Sequence, residues 1–138
     1  MKLKKIIVEN VNGGAWVGNI PDMGDLRIHT KGLNNPGFRK LQQTLVAAIP
    51  RSERHQGRIP PHVMDEINAK CLLNQALLGW ENVEEDGQAV PFSKEQAKVY
   101  LTDPAYRSFY DAVMYAAAVV GEDDAEADKE DEGNSLAA

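Results

Sequence analysis

The chain has 138 residues, of which 43% are apolar and 26% charged, with one cysteine and a formal net charge of −6. Such a length supports one domain that buries roughly two thirds of its unfolded surface, so composition excludes a disulfide scaffold, a rod and a wholly disordered chain. The apolar stretch near the start, Ile6 to Val8, falls short of a signal-peptide core and of a membrane span, and the protein is expected in the cytoplasm where it is made.

The first third reads as extended chain. Lys2 to Glu9 centres on β-branched Ile6, Ile7 and Val8, Asn12-Gly13-Gly14 is a turn signal, and Ala15 to Ile20 can fold back as a second strand. Pro21-Asp22-Met23-Gly24 is a further turn cluster. After it, Asp25 to Thr30 alternates polar and apolar residues with period two. Together they predict a small antiparallel β-meander over residues 1–31. The glycines lack the spacing and the following lysine of a phosphate loop.

From Asn35 the period becomes helical. Asn35 offers an N-cap, Pro36 suits the first turn, and Phe38, Leu41, Leu45, Ala48 and Ile49 share a face until Pro50. After Pro60-Pro61, the residues Val63, Met64, Ile67, Cys71, Leu73, Ala76, Leu77 and Trp80 predict a long central helix. Glu81 to Phe92 reads as a loop around Asp86-Gly87, and Ser93-Lys94-Glu95-Gln96 as a capping box opening a short helix to about Leu101. Asp103-Pro104 repeats the cap-then-proline signal before a last helix striped with Tyr106, Phe109, Val113, Ala116, Ala117 and Val120 and ended by Gly121. The expected architecture is α+β and mainly α: the meander, a four-helix body over 35–120 within one globular domain over 1–120, and a disordered acidic tail over 121–138.

That tail holds eight acids against Lys129, a charge of −7, which leaves the body at about +1 and without a global field for steering nucleic acid. With Leu136 as its one large apolar residue, the tail cannot bury enough surface to offset chain entropy.

Chemistry-bearing residues are scattered. His29, His55 and His62 lack partners at zinc spacing, and Cys71 sits on an apolar stripe as a small buried hydrophobe. Ser52, Ser93 and Ser108 have no nucleophile-elbow glycines, and Glu84, Glu85 and Asp86 read as an exposed turn. No catalytic, cofactor-binding or metal-binding residues are assigned, and enzymatic function is not expected. Arg39, Lys40, Arg51, Arg54 and Arg58 form a local positive group that could touch phosphates, a protein partner or the acidic tail. They lack the helix-turn-helix pattern or aromatic platform of a nucleic-acid site.

The series Leu78-Gly79-Trp80-Glu81-Asn82-Val83, Asp86-Gly87, Val90-Pro91-Phe92-Ser93, Leu101-Thr102-Asp103-Pro104 and Phe109 resembles the tail assembly chaperones of long-tailed bacteriophages. Trp16-Val17, Ile20-Pro21, Met23-Gly24-Asp25-Leu26 and Asn35-Pro36 extend the similarity to about Ala15 to Val120. The resemblance implies a non-enzymatic factor of the infected host cell's cytoplasm. It would bind the tape measure protein, recruit tail tube protein around it, self-associate in some settings, and be absent from the finished virion. It also implies two lengths made by ribosomal frameshifting, the acidic end suiting the short form. Trp80, Phe92, Tyr106, Phe109 and Val113 are the expected partner interface, with a simple core role for Trp80, Tyr106, Phe109 and Val113 as an equal alternative. A virion structural component, such as a head-tail or tail adaptor, and a nucleic-acid binder are the other readings.

Overall fold

The computed structural model describes Leu3 and residues 5–122. In chain order it contains α1 (Val8–Gly13), β1 (Ala15–Val17), β2 (Arg27–Thr30), α2 (Pro36–Ala47), α3 (Pro61–Gln75), β3 (Leu77–Glu81), β4 (Glu84–Glu85), β5 (Gln88–Ala89), α4 (Lys94–Thr102) and α5 (Arg107–Glu122). Short 3-10 turns occupy Arg51–Glu53 and Pro104–Tyr106. The fold is α+β and mainly helical, with a small three-stranded antiparallel sheet packed on the helical body and a separate two-stranded hairpin.

Local capping chemistry places the helices. The Asn35 side chain accepts from the Phe38 N–H at 2.9 Å, opening α2 with Pro36 at its start. Its amide nitrogen donates to Gly32 O at 2.7 Å and Gln75 O at 2.9 Å, so this buried residue also ties the start of α2 to the end of α3. Ser93 accepts from the Gln96 N–H at 3.1 Å to open α4, and Asp103 accepts from the Ala105 N–H at 2.9 Å to open the turn into α5. Arg54 donates to Val46 O at 2.8 Å and Ile49 O at 3.3 Å, satisfying carbonyls at the end of α2.

The sheet departs from the expected meander. The segment Lys2 to Glu9 forms no described strand. From Val8 the chain is helical, Val11 is buried, and the Gly14 N–H returns to Asn10 O at 2.7 Å to close the helix. The third strand comes instead from Leu77–Glu81, so the sheet runs β1-β2-β3 with every pair antiparallel. The predicted long helix therefore stops at Gln75: Ala76 leaves helical geometry at φ −136° and its carbonyl accepts from the Lys31 N–H at 3.0 Å. Pairing Ile28 with Trp80 and His29 with Gly79 gives β2 a second neighbour, which outweighs one more helical turn.

Two further differences are local. The stretch expected as a loop contains the hairpin β4–β5, whose turn places Asp86 (φ 53°) and Gly87 (φ 78°) in the left-handed region, as a two-residue turn of the primed type requires. Gly121 does not end α5, which continues through Glu122. A Cβ at Gly32 would lie 2.9 Å from the Gly121 Cα, so the missing side chains let α5 touch the loop before α2, where Asn34 donates to Gly121 O at 2.9 Å. The rest of the tail, residues 123–138, lies outside the described residues.

One hydrophobic cluster extends from Val17 to Val120, joining the inner face of the sheet (Val17, Ile28, Leu77, Trp80) to Phe38, Leu72, Tyr100, Leu101 and the α5 stripe. Burying each large side chain of this set is worth roughly 1.5–3 kcal/mol relative to exposure. The outer sheet face is open. There Trp16 stacks on His29 with ring centroids 4.9 Å apart, and Arg27 lies over Trp16 and pairs with Glu81 at 3.2 Å.

Candidate functional site

The motifs of the middle of the chain converge on one aromatic cluster. The alternation of β3 turns Trp80 inward, where its Nε1–H donates to Val90 O at 2.8 Å. Phe92 meets Trp80 edge-on at 4.9 Å, Phe109 of α5 meets it edge-on at 5.3 Å, and Tyr100 of α4 tilts against it at 5.7 Å. Tyr100 in turn packs on Tyr106 at 4.6 Å and on Phe109 at 5.3 Å. These separations are those of favourable aromatic pairs, each worth about 0.5–1.5 kcal/mol beyond buried area.

Beside the cluster opens a cleft of about 290 Å³, walled by Tyr100, Tyr106 and Phe109, with Met23, Leu26 and Val83 among its other lining residues. Glu85 sits within it. Its carboxylate accepts from the Tyr106 hydroxyl at 2.5 Å and from the Tyr100 hydroxyl at 3.4 Å. The hydrogen bond to Glu85 is the largest cause that pushes the Tyr106 phenol up to about 12. Burial, followed by the Glu85 charge and hydrogen bond, raises the Tyr100 phenol as well. Both tyrosines consequently stay protonated donors throughout the physiological range. Glu84 also lines the cleft, which contains no Lys, Arg or His.

The expected partner interface is divided by this arrangement. Trp80, Phe109 and Val113 are buried in the core, Val113 completely (0% exposed): β3 turns Trp80 inward, and α5 turns Phe109 and Val113 toward it. In this conformation they offer almost no surface to solvent. Phe92 is exposed (37%) and Tyr106 half-buried at the cleft, so these two reach the surface. The structure adds Glu85, Tyr100, Met23 and Leu26, which sequence reasoning missed. Glu85 was expected in an exposed turn; Asp86 is indeed exposed, but the hairpin turns Glu85 inward against the tyrosines.

Elsewhere, Cys71 is fully buried on α3, and burial pushes its thiol up, as suits a core residue. Burial also lowers His29 under Trp16. Among the described residues no three His, Cys, Asp or Glu side chains converge to hold a metal, and no described helix is long and apolar enough to cross a membrane. Arg51 and Arg54 border a separate concavity with Ala47, Ile49 and Gly57.

The fold and the cleft define a class: a small α+β protein whose helical body carries an acidic, aromatic-walled pocket. The chain belongs to the YdaY prophage protein family, whose model matches residues 33–134, and it is phage-derived. No curated protein and no solved structure matches it.

Proposed function

We propose that this protein is a tail assembly chaperone of a long-tailed phage. It binds the tape measure protein in the host cytoplasm, helps bring tail tube subunits to it, carries out no bond-making chemistry of its own, and leaves before the virion is complete. The observation that carries this reading is the convergence just described. Val90, Phe92 and Phe109 all meet Trp80, and the Asp86-Gly87 turn, the Ser93 cap and the Asp103-Pro104 step shape the elements that flank them. Residues that pack together and recur in fixed order make the resemblance to such chaperones a likeness of a structural module rather than of scattered short words.

Phage origin supports the same reading, as does the distribution of exposed large apolar side chains. Trp16, Leu78, Phe92, Val99 and Tyr115 stay partly open to solvent, and apolar side chains left open are what the apolar face of a partner's amphipathic helix covers. A tape measure protein exposes such helices until the tube encloses it. The test is co-expression of the tagged chain with the tape measure protein of the same prophage. Co-elution as a defined complex, with the tape measure protein insoluble when expressed alone, is the expected result. Tape measure protein that stays equally aggregated with or without the chain would reject the function.

A further inference from the structure

The cleft beside the aromatic cluster has a chemistry that the fold alone does not need. Its volume of about 290 Å³ lies at the lower limit of pockets for drug-sized molecules, roughly 300–1,000 Å³, which suits one long side chain better than a cofactor. Three of its walls are the rings of Tyr100, Tyr106 and Phe109. Its polar floor is Glu85, which accepts two tyrosine hydroxyls out of roughly four lone-pair positions that a carboxylate offers, so acceptor capacity is left over. Glu84 brings a second negative charge to the lining.

Among the described residues no cation answers these charges. The ion pairs among the described residues join Arg27 to Glu81 and Arg107 to Asp65 and Asp111, and none reaches Glu84 or Glu85. Two carboxylates without a third ligand are short of a metal set. A carboxylate framed by aromatic faces complements a cation on an aliphatic stem: the head gains a charge-assisted hydrogen bond and ring-face attraction, and the stem covers apolar wall.

We propose that the cleft receives a single lysine or arginine side chain from an apolar helical segment of a protein partner, with its charged head on Glu85 and its stem against Tyr106. Met23, Val83 and Ala105 in the lining give the flanking apolar residues of that segment something to cover. Naming the tape measure protein as that partner rests on the function proposed above, but the selectivity of the cleft can be measured without it.

The probes are two synthetic amphipathic peptides of about 20 residues, long enough for a stable helix, identical except for lysine or norleucine at the centre of the apolar face. Each is titrated calorimetrically into the full chain and into Glu85→Gln, whose amide oxygen accepts from one tyrosine hydroxyl and whose NH2 can donate to the other. The lysine peptide should bind roughly tenfold tighter to the wild-type chain, the difference expected of one charged hydrogen bond in a partly buried site. Glu85→Gln should erase that preference, leave norleucine-peptide affinity unchanged and keep the melting temperature of wild type. Equal affinity of the two peptides, failure of both to bind, or a lysine preference that survives Glu85→Gln would overturn the proposal. Lysine preference without tape measure binding would reject only the chaperone function, whereas tape measure binding without lysine preference would reject only the role of the cleft.

Discussion

Replacing Phe109 by alanine separates a core residue from a contact residue most sharply. The side chain is buried, and its ring meets Trp80 and Tyr100 at the same centroid distance of 5.3 Å. Phe→Ala changes in cores cost about 3–5 kcal/mol, and the loss of two ring partners places this one near the upper half, at about 4 kcal/mol. For a domain of this size that is a fall in melting temperature of about 15 °C. Chemical denaturation with a tryptophan signal is the direct assay, because Trp80 lies against the deleted ring. Phe92→Ala serves as the comparison. Its ring is exposed on one side and edge-on to Trp80 on the other, and removing it should cost only about 1 kcal/mol. If Phe109→Ala stays within about 1 kcal/mol of wild type, the cluster is not sealed as described and the side chain is free to meet a partner.

Other perturbations probe separate parts of the structure. Asn35→Ala removes the cap of α2 and the side-chain donor to the Gln75 carbonyl, while Gly32 O keeps the backbone N–H of residue 35, for an expected loss of about 2 kcal/mol by urea denaturation, and Asn35→Asp should recover only the capping share. Gly32→Ala forces a Cβ to within 2.9 Å of the Gly121 Cα and should cost roughly 1–3 kcal/mol in the same assay. Spectrophotometric titration should find one phenol ionising near 12 that disappears in Tyr106→Phe. Because this phenol lies above its ordinary value of 10.0, its stabilising contribution is intact below pH 10 and is lost as pH rises through about 12. Tyr106→Phe should therefore flatten the alkaline fall in stability.

The parts of the fold that were legible in the sequence are those fixed within a few residues. Asn35, Ser93 and Asp103 each cap the backbone two or three positions ahead, and Asp86-Gly87 turns on its own torsions, so pattern and structure agree there. What was illegible depends on distant chain. Leu77 to Trp80 continues the helical spacing of α3 with Gly79 as the one helix-weakening residue in it, and becomes a strand because β2 lies about 50 residues earlier with an edge to pair. The opposite misreading expected a strand from Lys2 to Glu9, where the chain is helical from Val8. At the candidate site, the aromatic residues could be named from sequence, but which of them face solvent could not. Tyr106 and Phe92 reach the surface while Trp80, Phe109 and Val113 do not, a distinction set by how α4 and α5 close over β3. Glu85 was hidden for a related reason. Its neighbour Asp86 is ordinary turn chemistry, and only the aim of the hairpin at Tyr100 and Tyr106 separates the two carboxylates.

The most direct measurement is quantitative mass spectrometry across a density gradient of an induced prophage lysate, counting this chain against tape measure protein in every fraction. A transient chaperone should co-migrate with tape measure protein in light assembly fractions and be missing from the fractions of complete particles. A fixed number of copies in mature virions, or no co-migration with tape measure protein in any fraction, would contradict it.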